Sequence, residues 1–214
     1  AACRFQPEMA EAAAQRRKLE ADLADAVARR QLRLEFQPVV DSGDERITGF
    51  EALLRWHHPE LGLVSPLDFV PVAEETGLIV PIGAWVIDEA LAWAARWPAH
   101  VSISVNISPV QMEEAELPDQ IAAALARHGV AASRLELEIT ESVFLRDNQE
   151  SERKFAALKA LGVRLALDDF GTGYSSLSYL HKLPLDKIKI DRSFLIDVNQ
   201  NSQSLDLLKG IVGL

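Results

Sequence analysis

Arg164-Leu165-Ala166-Leu167-Asp168-Asp169-Phe170-Gly171-Thr172-Gly173-Tyr174-Ser175-Ser176 is the stretch from which the fold can be read. Val163, Leu165 and Leu167 alternate with Arg164, Ala166 and Asp168, the period of a strand with one buried face. Two adjacent carboxylates stand at its end, followed by a loop with two glycines and small hydroxyl residues. Neighbouring acids repel each other and resist desolvation. A divalent cation with oxygen ligands relieves both costs, so the rest of the chain is read for further ligands.

The same alternation recurs along the chain. In Val101–Ile107 the second face is Ser102, Ser104 and Asn106; in Leu135–Ile139 it is Glu136 and Glu138; in Leu185–Ile190 it is Lys187 and Lys189. In the strand expected over Arg46–Trp56, Gly49, Glu51, Leu53 and Arg55 oppose Phe50, Ala52, Leu54 and Trp56. Leu32–Val40 before it, with the turn Ser42-Gly43-Asp44, predicts a hairpin-like start. Helices are expected over Pro66–Trp97 (broken at Gly77 and at Pro81–Gly83), over 117–128 ending at Gly129, and over Glu150–Leu161 ending at Gly162. A short helical turn is read over Ser175–His181, and a further helix from Ser202.

Strands that alternate with helices predict an α/β fold with a mostly parallel sheet. A sheet covered by helices on both faces should be apolar on both. Here only one face is apolar, and the polar face suits a barrel interior with its functional residues at the C-terminal mouth. The reading is a TIM-barrel-like (β/α)8 fold with an antiparallel first strand. Six strands are counted where eight close such a barrel, so the last two strand–helix units are expected to lie outside this chain. Residues 1–31 read as the tail of a preceding domain with a linker helix from Pro7, whose apolar stripe of Leu19, Leu23 and Val27 is narrow. Residues 32–214 read as the main domain, C-terminally incomplete.

Composition narrows the function. Twenty-two basic and 32 acidic residues give a net charge of −10, which argues against polymeric nucleic acid as a partner. The single Cys3 cannot form an internal disulfide, and no secretory signal or long apolar run is found, which predicts a cytoplasmic fragment without membrane contact of its own. A parent protein anchored in a membrane is compatible with this.

On a barrel the strand ends bring Glu51, Asn106, Glu138, Asp168 and Asp169 to one mouth, with Lys189 beside them. Four carboxylates and an amide oxygen are hard ligands, suited to Mg²⁺ or Mn²⁺. A pair of such ions is a common apparatus for phosphodiester hydrolysis. Read singly, each residue has a plainer use: Lys189 as an ion-pair partner of these acids, Arg55 as a rim residue, Glu141 as a helix-start acid. His57-His58 reads as loop rather than metal site, and the four tryptophans as packing.

At these residues the chain resembles the EAL-domain cyclic-di-GMP phosphodiesterases. The motifs are Glu51-Ala52-Leu53-Leu54-Arg55-Trp56, Asn106-Ile107-Ser108, Glu138-Ile139-Thr140-Glu141, Asp168–Ser176 and Lys187-Ile188-Lys189-Ile190-Asp191, in the family's order across about 32–214. Arg4–Met9 also resembles the end of a diguanylate-cyclase (GGDEF) domain, which implies a tandem parent protein. The resemblance implies two-metal hydrolysis of cyclic di-GMP to linear pGpG by in-line attack of activated water. Glu51, Asn106, Glu138 and Asp168 would hold one ion, and Asp168 and Asp169 a second. Lys189 would orient the water. Gln37, Leu53 and Arg55 would contact the substrate, Arg55 through a phosphate. Glu141 would brace the loop after Asp169, which implies a homodimer contact coupled to the site. The family also uses a glutamate and a glutamine from its last two strands, and neither stands in these residues. The alternatives are a cyclic-di-GMP receptor that does not cut and a regulatory or dimerisation module.

Overall fold

The computed structural model describes residues 7–140, 143, 149–170 and 184–191. Among these residues seven strands lie in one sheet: β1 (Leu32–Val40), β2 (Ile47–His58), β3 (Gly62–Val64), β4 (Ser102–Ile107), β5 (Leu135–Thr140), β6 (Arg164–Phe170) and β7 (Lys187–Ile190). Among the described residues six α-helices and a short 3₁₀ helix (Ala132–Arg134) accompany them: α1 (Pro7–Ala24), α2 (Pro66–Thr76), α3 (Ile79–Ala94), α4 (Pro109–Glu113), α5 (Leu117–His128) and α6 (Gln149–Leu161). The sheet order is β1-β2-β4-β5-β6-β7, with β3 added beside β2.

β1 pairs antiparallel with β2, whereas β2, β4, β5, β6 and β7 run parallel. The hairpin start is therefore present, followed by parallel strands with helices between β2 and β4, between β4 and β5, and between β5 and β6. Residues on the outer face pack under the helices: Ile103, Val105, Leu135, Leu137, Ile139, Leu165 and Leu167 are almost wholly buried. The other face carries Ser104, Glu136 and Glu138, which are buried as well. Polar residues at those depths fit the expected barrel interior. Among the described residues β1 and β7 remain the ends of the strand order.

Several local expectations need correction. β3 and α4 were not foreseen, since three and five residues carry too little periodicity to stand out. The helical stretch breaks at Gly77, whose φ of 74° caps α2, but α3 runs on through Pro81 and Gly83. Pro81 falls in the first turn of α3, where its missing N–H has no intrahelical partner to lose. Gly83 allows close approach: a Cβ there would overlap the buried Gln111 amide. Gly129 and Gly162 end α5 and α6 in the left-handed region, as expected. The strand carrying the acid pair continues to Phe170. Ser175–His181 and residues from Ser202 lie outside the described residues.

The narrow stripe on α1 and the turn after it is used for packing. Leu23 and Ala26 join the main core, with Leu19 and Val27 against it. Asp22 meets His58 Nε2 at 3.2 Å, and the segment is further tied by Lys18–Glu60 and Arg16–Glu75 ion pairs. No described helix is long and apolar enough to cross a membrane.

Candidate active site

Strand register explains which side chains meet. Asn106 lies beside Glu138, Glu138 beside Ala166, and Ala166 beside Lys187. Thr140 lies beside Asp168, and Gln37 beside Glu51. All occupy the inward parity, so the polar positions of six strands face one space.

Lys189 stands at the centre of that space. Its Nζ donates to Glu138 at 2.7 Å, to Glu51 at 3.1 Å and to Asp168 at 3.1 Å. Asn106 Nδ2 donates to the other oxygen of Glu51 at 3.0 Å. Glu51, Glu138 and Asp168 each offer an oxygen within 4.8 Å of the others. Three carboxylates so close around one ammonium leave excess negative charge, and an all-oxygen donor set of this kind fits Mg²⁺ or Mn²⁺.

The electrostatics follow from depth and crowding. Burial pushes the Glu138 carboxyl up to about 7; Lys189 opposes this, while Glu51 and Asp168 add to it. Burial would lower Lys189, but Glu138, Glu51 and Asp168 outweigh it and hold the ammonium charged. Asp169 is raised by burial and then by Asp168 and Asp191, against Lys189.

The acid pair is kinked. Asp169 has φ 54°, a left-handed conformation that short polar side chains tolerate better than most. Its N–H donates to Asp168 Oδ1 at 3.0 Å, and the β6–β7 register shifts between Leu167 and Phe170. The kink resets the alternation. Phe170 packs with Leu167, Leu185 and Ile188 on the outer face, while Asp168 and Asp169 both remain near Lys189.

Of the residues expected to touch a substrate, Gln37 and Leu53 share the face of Glu51, and Arg55 lies further towards the mouth on β2. Arg55 pairs with Glu35 at 2.8 Å and donates to the Leu54 carbonyl. Glu35 was not singled out from sequence, although counting back through the hairpin places it opposite Leu53. Glu141 and the loop from Gly171 lie outside the described residues. His58 is a structural residue: its Nδ1 accepts from the Glu60 and Leu61 N–H groups, and its Nε2 faces Asp22. The tryptophans pack as expected. Trp56 is fully buried edge-on to Phe69, and Trp93 and Trp97 surround Phe36.

Glu136 and Lys187, seen in sequence only as part of the alternating polar faces, form a second ionic tier. Glu136 Oε1 accepts from Ser104 Oγ at 3.1 Å and from Lys187 Nζ at 2.8 Å. The signal for them was present, since each precedes a site residue by two positions on the same face.

A family model described as "EAL domain" matches residues 20–214. The bifunctional diguanylate cyclase/cyclic di-GMP phosphodiesterase MucR of Pseudomonas aeruginosa is 44% identical over 216 residues, covering 99% of this chain and 32% of that protein. The cyclic di-GMP phosphodiesterase PA2567 of the same organism is 37% identical over 215 residues, covering 99% and 37%. Among solved structures, a MucR phosphodiesterase–c-di-GMP complex superposes with a TM-score of 0.84 at 45% identity, covering 92% of this chain and 81% of that one. The chain spans about a quarter to a third of the length of the first curated relatives it matches.

Proposed function

This chain belongs to the EAL domain family, and from that premise we propose that it hydrolyses cyclic di-GMP to linear pGpG with the help of divalent cations. The observation that carries the proposal is the convergence of Glu51, Glu138 and Asp168, from three strands, on Lys189 of a fourth. The relatives named as cyclic-di-GMP phosphodiesterases and the ligand-bound neighbour support the same substrate.

Glu51, Asn106, Glu138 and Asp168 would hold one Mg²⁺ or Mn²⁺, and Asp168 with Asp169 a second. Such ions, when bound, supply Lewis acidity that neutralises phosphate charge and makes water nucleophilic near pH 7. Arg55 exchanges Glu35 for a phosphate oxygen, a charge-assisted bond of the same kind. Gln37 and Leu53 line the approach beside Glu51. Lys189 keeps its charge and orients water towards phosphorus. Water adds to phosphorus, the P–O3′ ester bond breaks, and the products are a free 3′-hydroxyl and a 5′-phosphate on one dinucleotide. Glu141 and the loop after Asp169 are proposed to link the site to a homodimer contact, and a neighbouring GGDEF domain is proposed for the parent protein. The domain is proposed to run from residue 32 and to act in the cytoplasm.

The test is incubation of the full-length protein with cyclic di-GMP and Mg²⁺ or Mn²⁺, followed by chromatography for pGpG. Formation of pGpG that chelator abolishes supports the proposal. No product beside an active control refutes it, and tight metal-independent binding in that case favours a receptor.

A further inference from the structure

One inward pleat below the Lys189 cluster, Glu136 is 3% exposed and is a buried carboxylate that the proposed reaction does not use. Lys187 from β7 and Ser104 from β4 both donate to its Oε1, while Arg164 Nε from β6 stands 3.9 Å from Oε2. One carboxylate on β5 thus draws on three other strands. The two tiers repeat each other. Glu136 and Glu138 alternate on β5, Lys187 and Lys189 alternate on β7, and the lysines take the glutamates in order, Lys187 to Glu136 and Lys189 to Glu138.

The backbone explains why a second tie is needed. β7 is four residues long, and its regular pairing with β6 covers only Ala166↔Lys187 and Leu167↔Ile188 before the register slips at the Asp168–Asp169 kink. Lys189 falls in that slipped region. The pairing resumes only at Phe170↔Ile190, with Asp191 N–H donating to the Phe170 carbonyl at 3.3 Å, so Lys189 itself lies in the irregular gap between two paired stretches. A charge-assisted bond between Lys187 and a buried acid on β5 adds a constraint from a second strand just before that gap, because such bonds are short and directional.

We propose that Glu136 and Lys187 are positioning residues: their ion pair sets the height of β7 so that Lys189 Nζ falls between Glu51, Glu138 and Asp168. This rests on the phosphodiesterase reading for its kinetic consequence and on geometry alone for its structural one. Glu136 and Lys187 each stand two residues before their partners in the Lys189 cluster, whereas Leu53 and Arg55 lie beyond Glu51 on β2, towards the mouth, so the loss of the pair affects the chemical step more than substrate binding. Displacing a reacting group by roughly 1 Å costs up to about a hundredfold in rate.

The experiment compares Lys187→Met, Lys187→Arg and Glu136→Gln in the full-length protein. It uses steady-state kinetics on cyclic di-GMP, calorimetric binding stoichiometry, melting temperature and crystal structures. Lys187→Met is expected to lower kcat by roughly tenfold or more, with KM and binding stoichiometry unchanged. Lys187→Arg, which keeps the charge, restores most of the rate. In crystals of Lys187→Met, Lys189 Nζ moves away from Glu138 or Asp168. A purely structural pair would lower the melting temperature and leave kcat per binding site unchanged; that result overturns the proposal, as does a Lys189 that stays in place. If Glu136→Gln does not fold, the two Lys187 variants decide. If the wild type itself makes no pGpG, the phosphodiesterase reading falls, and the position of Lys189 in the crystals still decides this one.

Discussion

Replacing Lys189 by Met and replacing Glu51 by Gln should move stability in opposite directions when metal is chelated. With all groups ionised, Glu51, Glu138, Asp168 and Lys189 sum to −2. Lys189→Met takes this to −3 and strips three carboxylates of a shared donor, at 2.7, 3.1 and 3.1 Å. Removing one partner of a buried ion pair costs about 3–5 kcal/mol. The Glu138 side chain is 1% exposed, but the carboxyl sits near 7 and takes up a proton, while Glu51 and Asp168 retain some water contact. The lower end, about 3 kcal/mol, is therefore expected. At this chain length that lowers the melting temperature by roughly 6–12 °C. Glu51→Gln takes the cluster to −1, keeps an oxygen for Lys189 and Asn106, and leaves the melting temperature unchanged or slightly higher. Calorimetry in EDTA measures both, and both variants should lose Mg²⁺-dependent turnover. A Lys189→Met protein as stable as wild type, or a Glu51→Gln protein that melts several degrees lower, would refute the charge argument.

Gly83→Ala gains about 1 kcal/mol of helix propensity. It also forces a methyl group into the buried Gln111 amide, which accepts from the Ser108 N–H in the capping box of α4. Overpacking at about 1–3 kcal/mol and loss of the cap at about 1 kcal/mol outweigh the gain, so urea denaturation should show a net loss of about 1–3 kcal/mol. Arg55→Ala removes a charge-assisted contact to phosphate and should raise KM for cyclic di-GMP by about tenfold or more, with a smaller change in kcat; an unchanged KM would remove Arg55 from the substrate contacts. For Asp186, burial alone would raise the carboxyl, but the bonds from Lys159 and the Leu165 N–H outweigh it and hold it below the usual range. Its stabilisation is full above pH about 4 and is lost as pH falls through the lower folded value, so Asp186→Asn should flatten the acid limb of a stability–pH curve.

The inward faces of β4, β5 and β7 could be read because a strand has period two and these segments pair Ser, Asn, Glu and Lys with Val, Ile and Leu without interruption. That pattern pointed to the barrel, and the barrel brought residues as distant as Glu51 and Lys189 together. The same logic located Glu136 and Lys187 on the right face but assigned them nothing, because which cation meets which acid depends on register between strands. Asp169 was read as the end of a strand, whereas it takes a left-handed kink that coincides with the β6–β7 slip, which strand alternation alone does not reveal. Pro81 and Gly83 misled because each is a helix breaker in isolation. The first turn excuses the proline, and a neighbouring glutamine needs the glycine's space. Glu35, the partner of Arg55, follows only from the antiparallel count across the hairpin.

That antiparallel first strand has a mechanical consequence. In an all-parallel barrel the polypeptide enters at the floor, on the side opposite the chemistry. Here Leu32 pairs with Trp56 at the far end of β2, so the polypeptide enters at the rim and descends past Gln37. The Trp56 indole is latched to Gln31, and His58 to Asp22, within three residues of Arg55. A twist applied along α1 is therefore passed to β2 beside Arg55 through a lever only a few residues long, as well as to α2 through Arg16 and Glu75.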